Sequence, residues 1–368
     1  MTALPVPFCA LALAVAAAAP PLLGATAPPA QETPREALDR FRDTLASQLW
    51  GVQVSAFGDV LHARDPETGR PKTGLGALEL DLGADLGEAL QASAALVATP
   101  EDLQLGVGFL DWHLFGGRIA PRGRLWVEKG FHVQAGRFDV PFGNDWQFFA
   151  SKDSVSISRP LTTEAVMEGG YNDTGIRALG SDGTFNFNAY LLRGFSSGRL
   201  AGGRLGLAPF GNPFSLASAR EAKVLELGVS FLFDRGSDAR KRGSAHAFDS
   251  EFRSGPVLLR GEYLERTWEA VEDTPRRIQR GWHLDAEVAL GEAVPWATTL
   301  FARYERAEGV SKDGGRYDIR WAAGASLSLG GLALIKIEGQ RYLAATQETR
   351  EEPAYRGTQI LAQLVLVF

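Results

Sequence analysis

From Trp50 to the C-terminus the chain alternates apolar and polar side chains with a period of two, and no other feature restricts its fold as strongly. The stretch ALELDLGADLGEALQASAALVA shows it best. Leu78, Leu80, Leu82, Ala84, Leu86, Leu90, Ala92, Ala94, Leu96 and Ala98 share one parity, while Glu79, Asp81, Gly83, Asp85, Gly87, Gln91 and Ser93 hold the other. Only Glu88 breaks the apolar row. A helix scatters two such sets around its circumference, whereas a strand places them on opposite faces. The pattern returns in KVLELGVSFLFD, GWHLDAEVALG and WATTLFARYERAE, and in the row Ile319, Trp321, Ala323, Ala325 and Leu327.

Beyond the first 30 residues no run of 18 apolar residues occurs, so no helix of the usual transmembrane length is encoded. A membrane-spanning strand needs only about 9–11 residues and alternates lipid-facing apolar with lumen-facing polar side chains. Connections read back from the C-terminus alternate in length. Long stretches at 344–356, 311–316, 269–280 and 235–243 interleave with Gly330-Gly331, GEAVP (291–295) and Ser254-Gly255. Parity predicts strands near 50–62, 75–98, 103–112, 123–129, 131–138, 173–180, 184–193, 203–208, 223–233, 244–253, 256–267, 281–290, 296–306, 317–328, 331–342 and 357–368. The expected fold is all-β: a transmembrane antiparallel β-barrel of about 16 strands over 50–368, with both ends on the periplasmic side. A hairpin near Gly83–Glu88 would change that count.

The first charged residue is Glu32, and FCALALAVAAAAPPLLGATA before it reads as a secretory signal peptide over 1–27, cut between 25 and 30. Thr33, Pro34 and Glu36 open a short amphipathic periplasmic helix over 31–49, with Leu38, Phe41 and Leu45 on one face. The single cysteine, Cys9, lies in the signal, so disulfides, thiolate catalysis and cysteine-bound metals are excluded from the exported chain. A net charge of −6 argues against a nucleic-acid partner.

The segments AGRFDVPFGNDWQFFASKDSVSISRP (135–160) and GGYNDTGIRALG (169–180), with the close TQILAQLVLVF, resemble Gram-negative outer-membrane porins of the phosphate-selective O/P-like family. Gly136-Arg137-Phe138 with Val140-Pro141-Phe142-Gly143 is similar to its G-[RQ]-F…P-F-G signature, and Asn172-Asp173-Thr174-Gly175 to its next strand. The resemblance implies a lumen loop that narrows the pore, a homotrimer, and a C-terminal strand ending in Phe368 that barrel-insertion machinery reads. It implies contact with membrane lipid and lipopolysaccharide in the outer membrane, and no cofactor.

The stretch 139–172 lacks alternation for about thirty residues, which in a compact protein marks a working element. Folded into the lumen, it offers Lys152, Asp153 and Arg159 as constriction charges. Arg124, Arg177, Arg193, Arg204, Arg260, Arg303 and Arg320 have inward parity, Arg193 with an outward, snorkelling alternative. They are interleaved with the inward acids Glu79, Asp81, Asp85, Glu226, Asp285, Glu287 and Glu305. Such mixing suggests paired charges and weak selectivity, with a surplus of one positive charge at the loop favouring anions. Trp50, Trp126, Trp282, Trp296, Trp321, Tyr171 and Tyr355 fall near strand ends, as girdle residues do.

An enzyme is not expected. His62, His113, His132, His246 and His283 are widely spaced, with neither H-E-x-x-H nor G-x-S-x-G, and no metal site is expected. Ser244 with His246, and His283 with Asp285, stand two apart on one strand face, roughly 6.5–7 Å apart and too far for proton transfer. The expected function is passive diffusion of small hydrophilic solutes or ions. The alternative is a structural barrel that scaffolds a periplasmic or electron-transfer protein through the helix 31–49.

Overall fold

Every strand pairs antiparallel with its neighbour in sequence, and the first pairs with the last, so the sheet closes without an edge. Closure is what lipid demands, because an open edge would leave backbone N–H and C=O groups unpaired in hydrocarbon. The computed structural model describes residues 52–64, 70–117, 119, 129–145, 150–167, 169–193, 198–211, 223–236, 242–269, 276–291, 296–311, 314–346 and 355–368. Glu36, Arg40 and Thr44 are also described, as helical and exposed residues; the rest of 31–49 and the signal segment 1–27 lie outside the described residues.

The sixteen strands are β1 (Gln53–Arg64), β2 (Pro71–Asp85), β3 (Leu90–Ala98), β4 (Leu103–Phe115), β5 (Gly130–Asp139) and β6 (Asn172–Ser181). They continue with β7 (Phe185–Leu192), β8 (Arg199–Phe210), β9 (Val224–Arg235), β10 (Gly243–Ser254) and β11 (Val257–Trp268). The last five are β12 (Arg277–Ala289), β13 (Ala297–Ser311), β14 (Gly314–Leu329), β15 (Ala333–Thr346) and β16 (Tyr355–Val367). β1 begins and β16 stops at the same end, termed here the turn end; the connection 140–171 hangs from the other, the loop end.

Two differences from the sequence expectation alter the strand count, and their effects cancel. The stretch 75–98 is a hairpin, not one strand: Leu78 pairs with Ala98 and Asp85 with Gln91 around a midpoint at Glu88. In a hairpin centred on a residue, paired positions have equal parity, so the apolar row continues unbroken through the turn. Glu88, the one interruption in that row, marks the apex. The stretch 123–129 lies mostly outside the described residues, and β4 pairs directly with β5, so no strand stands between them. β4 therefore runs opposite to the direction expected for 103–112. The expected short strand 203–208 is the twelve-residue β8. The loop expected over 311–316 shrinks as β13 reaches Ser311 and β14 starts at Gly314.

Polarity is inverted relative to a water-soluble protein. Leu110, Ile176, Phe233, Leu284, Ile337 and Ile360 are exposed on the outer wall, while Gln134, Arg204, Glu226, Glu305 and Glu338 are buried inside. Trp282, Tyr304 and Trp321 line up across β12–β14 on the outer face, with ring centroids 5.2 Å apart at each step. Trp296 is exposed beside the turn end, whereas Trp50, Trp126 and the side chain of Tyr355 lie outside the described residues. Such an outer surface is stable only against lipid.

Leu284 sits near the middle of the outer face of β12. Leu284→Arg is expected to cost about 2–4 kcal/mol in folding titrations into lipid bilayers. The same change at Leu86, in the β2–β3 turn, is expected to cost at most about 1 kcal/mol.

Candidate pore constriction

The loop 140–171 leaves the wall through a closed neck. Val140 N–H donates to Tyr171 C=O at 2.8 Å, and Asn172 Nδ2 donates to Asp139 Oδ1 at 2.8 Å and to Gly106 C=O at 2.7 Å. Arg137 Nε donates to Asn172 Oδ1 from the outer side. Two glycines make the neck possible. Gly136 has φ +144°, and a Cβ there would lie 2.3 Å from Gly108 C=O. Gly143 has φ +68°, and a Cβ would lie 2.2 Å from Glu262 Oε2. These positions favour glycine, and both belong to the signature segment.

Beyond the neck the loop crosses the lumen, held by side chains of seven wall strands. Gly143 N–H donates to Ser230 Oγ of β9 at 3.1 Å and Asn144 N–H to Glu262 Oε2 of β11 at 2.6 Å. Ser151 Oγ donates to Asp59 Oδ2 of β1 at 2.9 Å. Glu338 of β15 accepts from the N–H groups of Ile157 (2.6 Å) and Ser158 (3.1 Å) and from Ser158 Oγ. Leu161 N–H donates to Glu305 Oε2 of β13, and Thr162 Oγ1 lies 3.1 Å from His283 Nδ1 of β12. Cations meet the loop's carbonyls in return. Arg303 Nη2 donates to Ser158 C=O at 2.9 Å, and Arg320 of β14 donates to Arg159 C=O. Lys336 Nζ donates to Ser151 C=O and to Ser154 Oγ, the latter at 3.1 Å.

Apolar contacts complete the docking. Val140, Phe142, Leu161, Val166 and Met167 of the loop form one buried cluster with inward Phe138, Leu192, Leu200, Leu232, Ala245 and Leu264. A second cluster joins Ala150 of the loop to Phe57 and Val365 of the wall. Full burial of each large aliphatic side chain is worth about 1.5–3 kcal/mol. The segment returning toward β6 forms a single π-helical turn, Thr162–Val166, which turns Glu164 toward Arg320 at 2.9 Å.

The charges expected at the constriction are placed as follows. Lys152 and Asp153 pair with each other at 3.1 Å and keep 28% and 35% of their side chains exposed. Arg159 bonds Asp145 at 2.6 Å and Gly169 C=O at 2.8 Å, bracing the loop against itself. Arg177, Arg204, Arg260, Arg303 and Arg320 each have partners on the inner wall. Arg177 donates to Gln134 and lies 4.4 Å above the Phe138 ring. Arg204 bridges Glu226 (3.0 Å) and Asp249 (2.6 Å), and Arg260 pairs with Glu287. Arg303 sits between Glu305 (2.7 Å) and Asp285 (3.7 Å). Arg320 shares Glu305 at 2.9 Å. Glu79 and Asp81 are buried on the inner face of β2, and Asp85 is exposed at its turn end. Arg193 is exposed just past β7, on that strand's outward parity, and Arg124 lies outside the described residues. Asp59, Asp145, Glu262, Lys336 and Glu338 are anchors that the sequence reading did not single out. Lys336, Glu338 and Gln340 did carry a signal, a clean polar row opposite Ile335 and Ile337.

Of the two histidine pairs considered for catalysis, Ser244 and His246 face outward, where His246 packs against Phe248 and Tyr263. His283 Nε2 lies 3.6 Å from Asp285 Oδ2, nearer than the backbone spacing implies, while its other nitrogen meets Thr162.

No protein-family profile and no curated protein matches the chain. Solved structures do. The anion-selective porin from Comamonas acidovorans superposes with a TM-score of 0.59 at 14% identity, covering 86% of this chain and 99% of that one. The fold is that of the outer-membrane porins. OmpT, an outer membrane protein of Vibrio cholerae, reaches 0.57 at 10% identity in its loop L8 deletion form, with coverages of 86% and 99%. OmpF of Salmonella typhi reaches 0.53 at 10% identity, with coverages of 86% and 97%.

Leaving a buried N–H group without its acceptor costs about 1–3 kcal/mol. Glu338→Ala is therefore expected to lower stability by that order and to release the segment around Ile157 and Ser158, measured by urea unfolding and by protease cleavage within the loop. Burial holds Glu164 above the usual carboxylate range, with Arg320 pulling it back. A raised folded value means that ionisation is the costly state above it, and that the cost vanishes below the unfolded value of about 4.3. Glu164→Gln is expected to stabilise the protein at neutral pH, with the gain closing on acidification in the same unfolding assay.

Proposed function

We propose that this chain is a Gram-negative outer-membrane porin for passive diffusion of small hydrophilic solutes, with a passage narrowed by the loop 140–171. The observation carrying the reading is the anchoring of that loop to β1, β9 and β11–β15 across the lumen. A sixteen-strand barrel is wide enough for an aqueous channel, and an internal loop reduces that width locally. Near a narrow low-dielectric constriction a few local charges outweigh distant ones.

Selectivity in this reading is weak. Arg159 has Asp145 as its partner, so the surplus positive charge expected from Lys152, Asp153 and Arg159 together is neutralised. Arg204, Arg260, Arg303 and Arg320 each meet a carboxylate, which disfavours the arginine ladder of a phosphate-selective pore. The half-open Lys152–Asp153 pair then sets the sign. No catalytic role is proposed, since His283 serves the loop. Assembly as a homotrimer in lipid and lipopolysaccharide, inserted through the strand ending in Phe368, belongs to the same proposal.

Planar-bilayer recording is expected to show stepwise conductance with a reversal potential close to zero in a salt gradient. Asp153→Asn should shift it toward anions and Lys152→Gln toward cations. Insertion without conductance would overturn the pore and favour a scaffolding barrel; an unmoved reversal potential in both variants would remove the loop tip from selectivity.

A further inference from the structure

Away from the loop, on the inner wall near the turn end, β4 and β5 bring together Asp111, His113 and His132. Each offers one donor atom, and the three atoms lie within 4.8 Å of one another. Asp111 Oδ2 is 2.9 Å from His132 Nδ1 and 3.8 Å from His113 Nδ1. Donors at about 2.0–2.1 Å from a tetrahedral zinc ion stand about 3.3 Å apart. These two separations bracket that value and the third is at most 4.8 Å, within reach of side-chain rotation about one ion.

The surrounding groups prepare the donors. His113 Nε2 is 3.0 Å from Glu88 C=O, which can only accept, so in the neutral ring the proton sits on Nε2 and Nδ1 carries a lone pair. That Nδ1 is buried without a hydrogen-bond partner. Nδ1 of His132 faces the Asp111 carboxylate, which accepts its proton's hydrogen bond, so a metal ion there takes that proton's place and the proton is released or moves to Nε2. Asp111 is oriented by Gln134 Nε2, which donates to its Oδ1 at 3.0 Å, and Gln134 is in turn held by Arg177 Nε at 2.5 Å. Supporting hydrogen bonds of this kind fix ligand geometry in metal sites. Asp111 and His132 are fully buried, and His113 keeps 15% of its side chain exposed, leaving an approach from the lumen.

We infer that Asp111, His113 and His132 form a binding site for one divalent transition-metal ion of the zinc class on the lumen wall. Two imidazoles and one carboxylate suit zinc, copper or nickel; magnesium and calcium require more oxygen ligands than the cluster supplies. A fourth position remains for water or a passing solute.

The test uses the full chain, purified in detergent and stripped with a chelator, titrated with zinc chloride by calorimetry. One equivalent should bind, magnesium chloride should give no binding, and cobalt loading should produce the visible absorption of a histidine-ligated ion. His113→Ala, at the partly exposed strand end, should weaken zinc at least about tenfold. His132→Gln should do the same, with heat-modified gel migration confirming that each variant folds. Absent zinc binding, or affinity unchanged in folded His113→Ala, would overturn the assignment; if His132→Gln fails to fold, loss of the cobalt spectrum in His113→Ala decides.

Discussion

A loop outside every strand, folded into the interior of a barrel, brings backbone N–H groups that no ladder satisfies. Each one buried and unpaired would cost about 1–3 kcal/mol. The wall supplies the acceptors. Glu262, Glu305 and Glu338 receive N–H groups of Asn144, Leu161, Ile157 and Ser158. Buried acids of this kind do more than balance arginines. They set the path of the chain across the lumen.

The carboxylates need cations because buried negative charge is costly when unpaired. Arg303 and Arg320 flank Glu305 while reaching loop carbonyls with their remaining donors. One network thus neutralises Glu305 and clamps both polarities of the loop backbone. The Lys152–Asp153 pair, outside this network, keeps appreciable contact with water. The apolar cluster on the neck side works with the network, since Leu232 and Leu264 on the inner wall would be misplaced in an open aqueous lumen. Covered by Phe142, Leu161 and Met167, they are a dry seat.

Much of this was legible in the sequence. Period-two alternation gives an all-β lipid-facing barrel, and the unalternating 139–172 points to a working loop. The hairpin at 86–89 was hidden by its own symmetry, because pairing about Glu88 preserves parity on both sides. The docking seat was visible as departures from the pattern. Val365 and Val367 interrupt the polar row of β16, and Leu232 stands between Phe231 and Phe233; Val365 and Leu232 lie in the buried clusters that meet the loop. What parity cannot supply is pairing across the lumen. Arg159 with Asp145, or Glu338 with Ile157, joins residues whose relation depends on the loop's fold and not on any spacing along a strand.

Amide hydrogen exchange of the reconstituted barrel tests the anchoring most directly. The amides of Asn144, Ile157, Ser158 and Leu161 lie outside any strand, yet they should exchange as slowly as strand amides. In Glu338→Gln, protection should fall at Ile157 and Ser158 while persisting at Asn144, which Glu262 holds. Exchange of all four at the rate of an open, solvated loop would contradict the account.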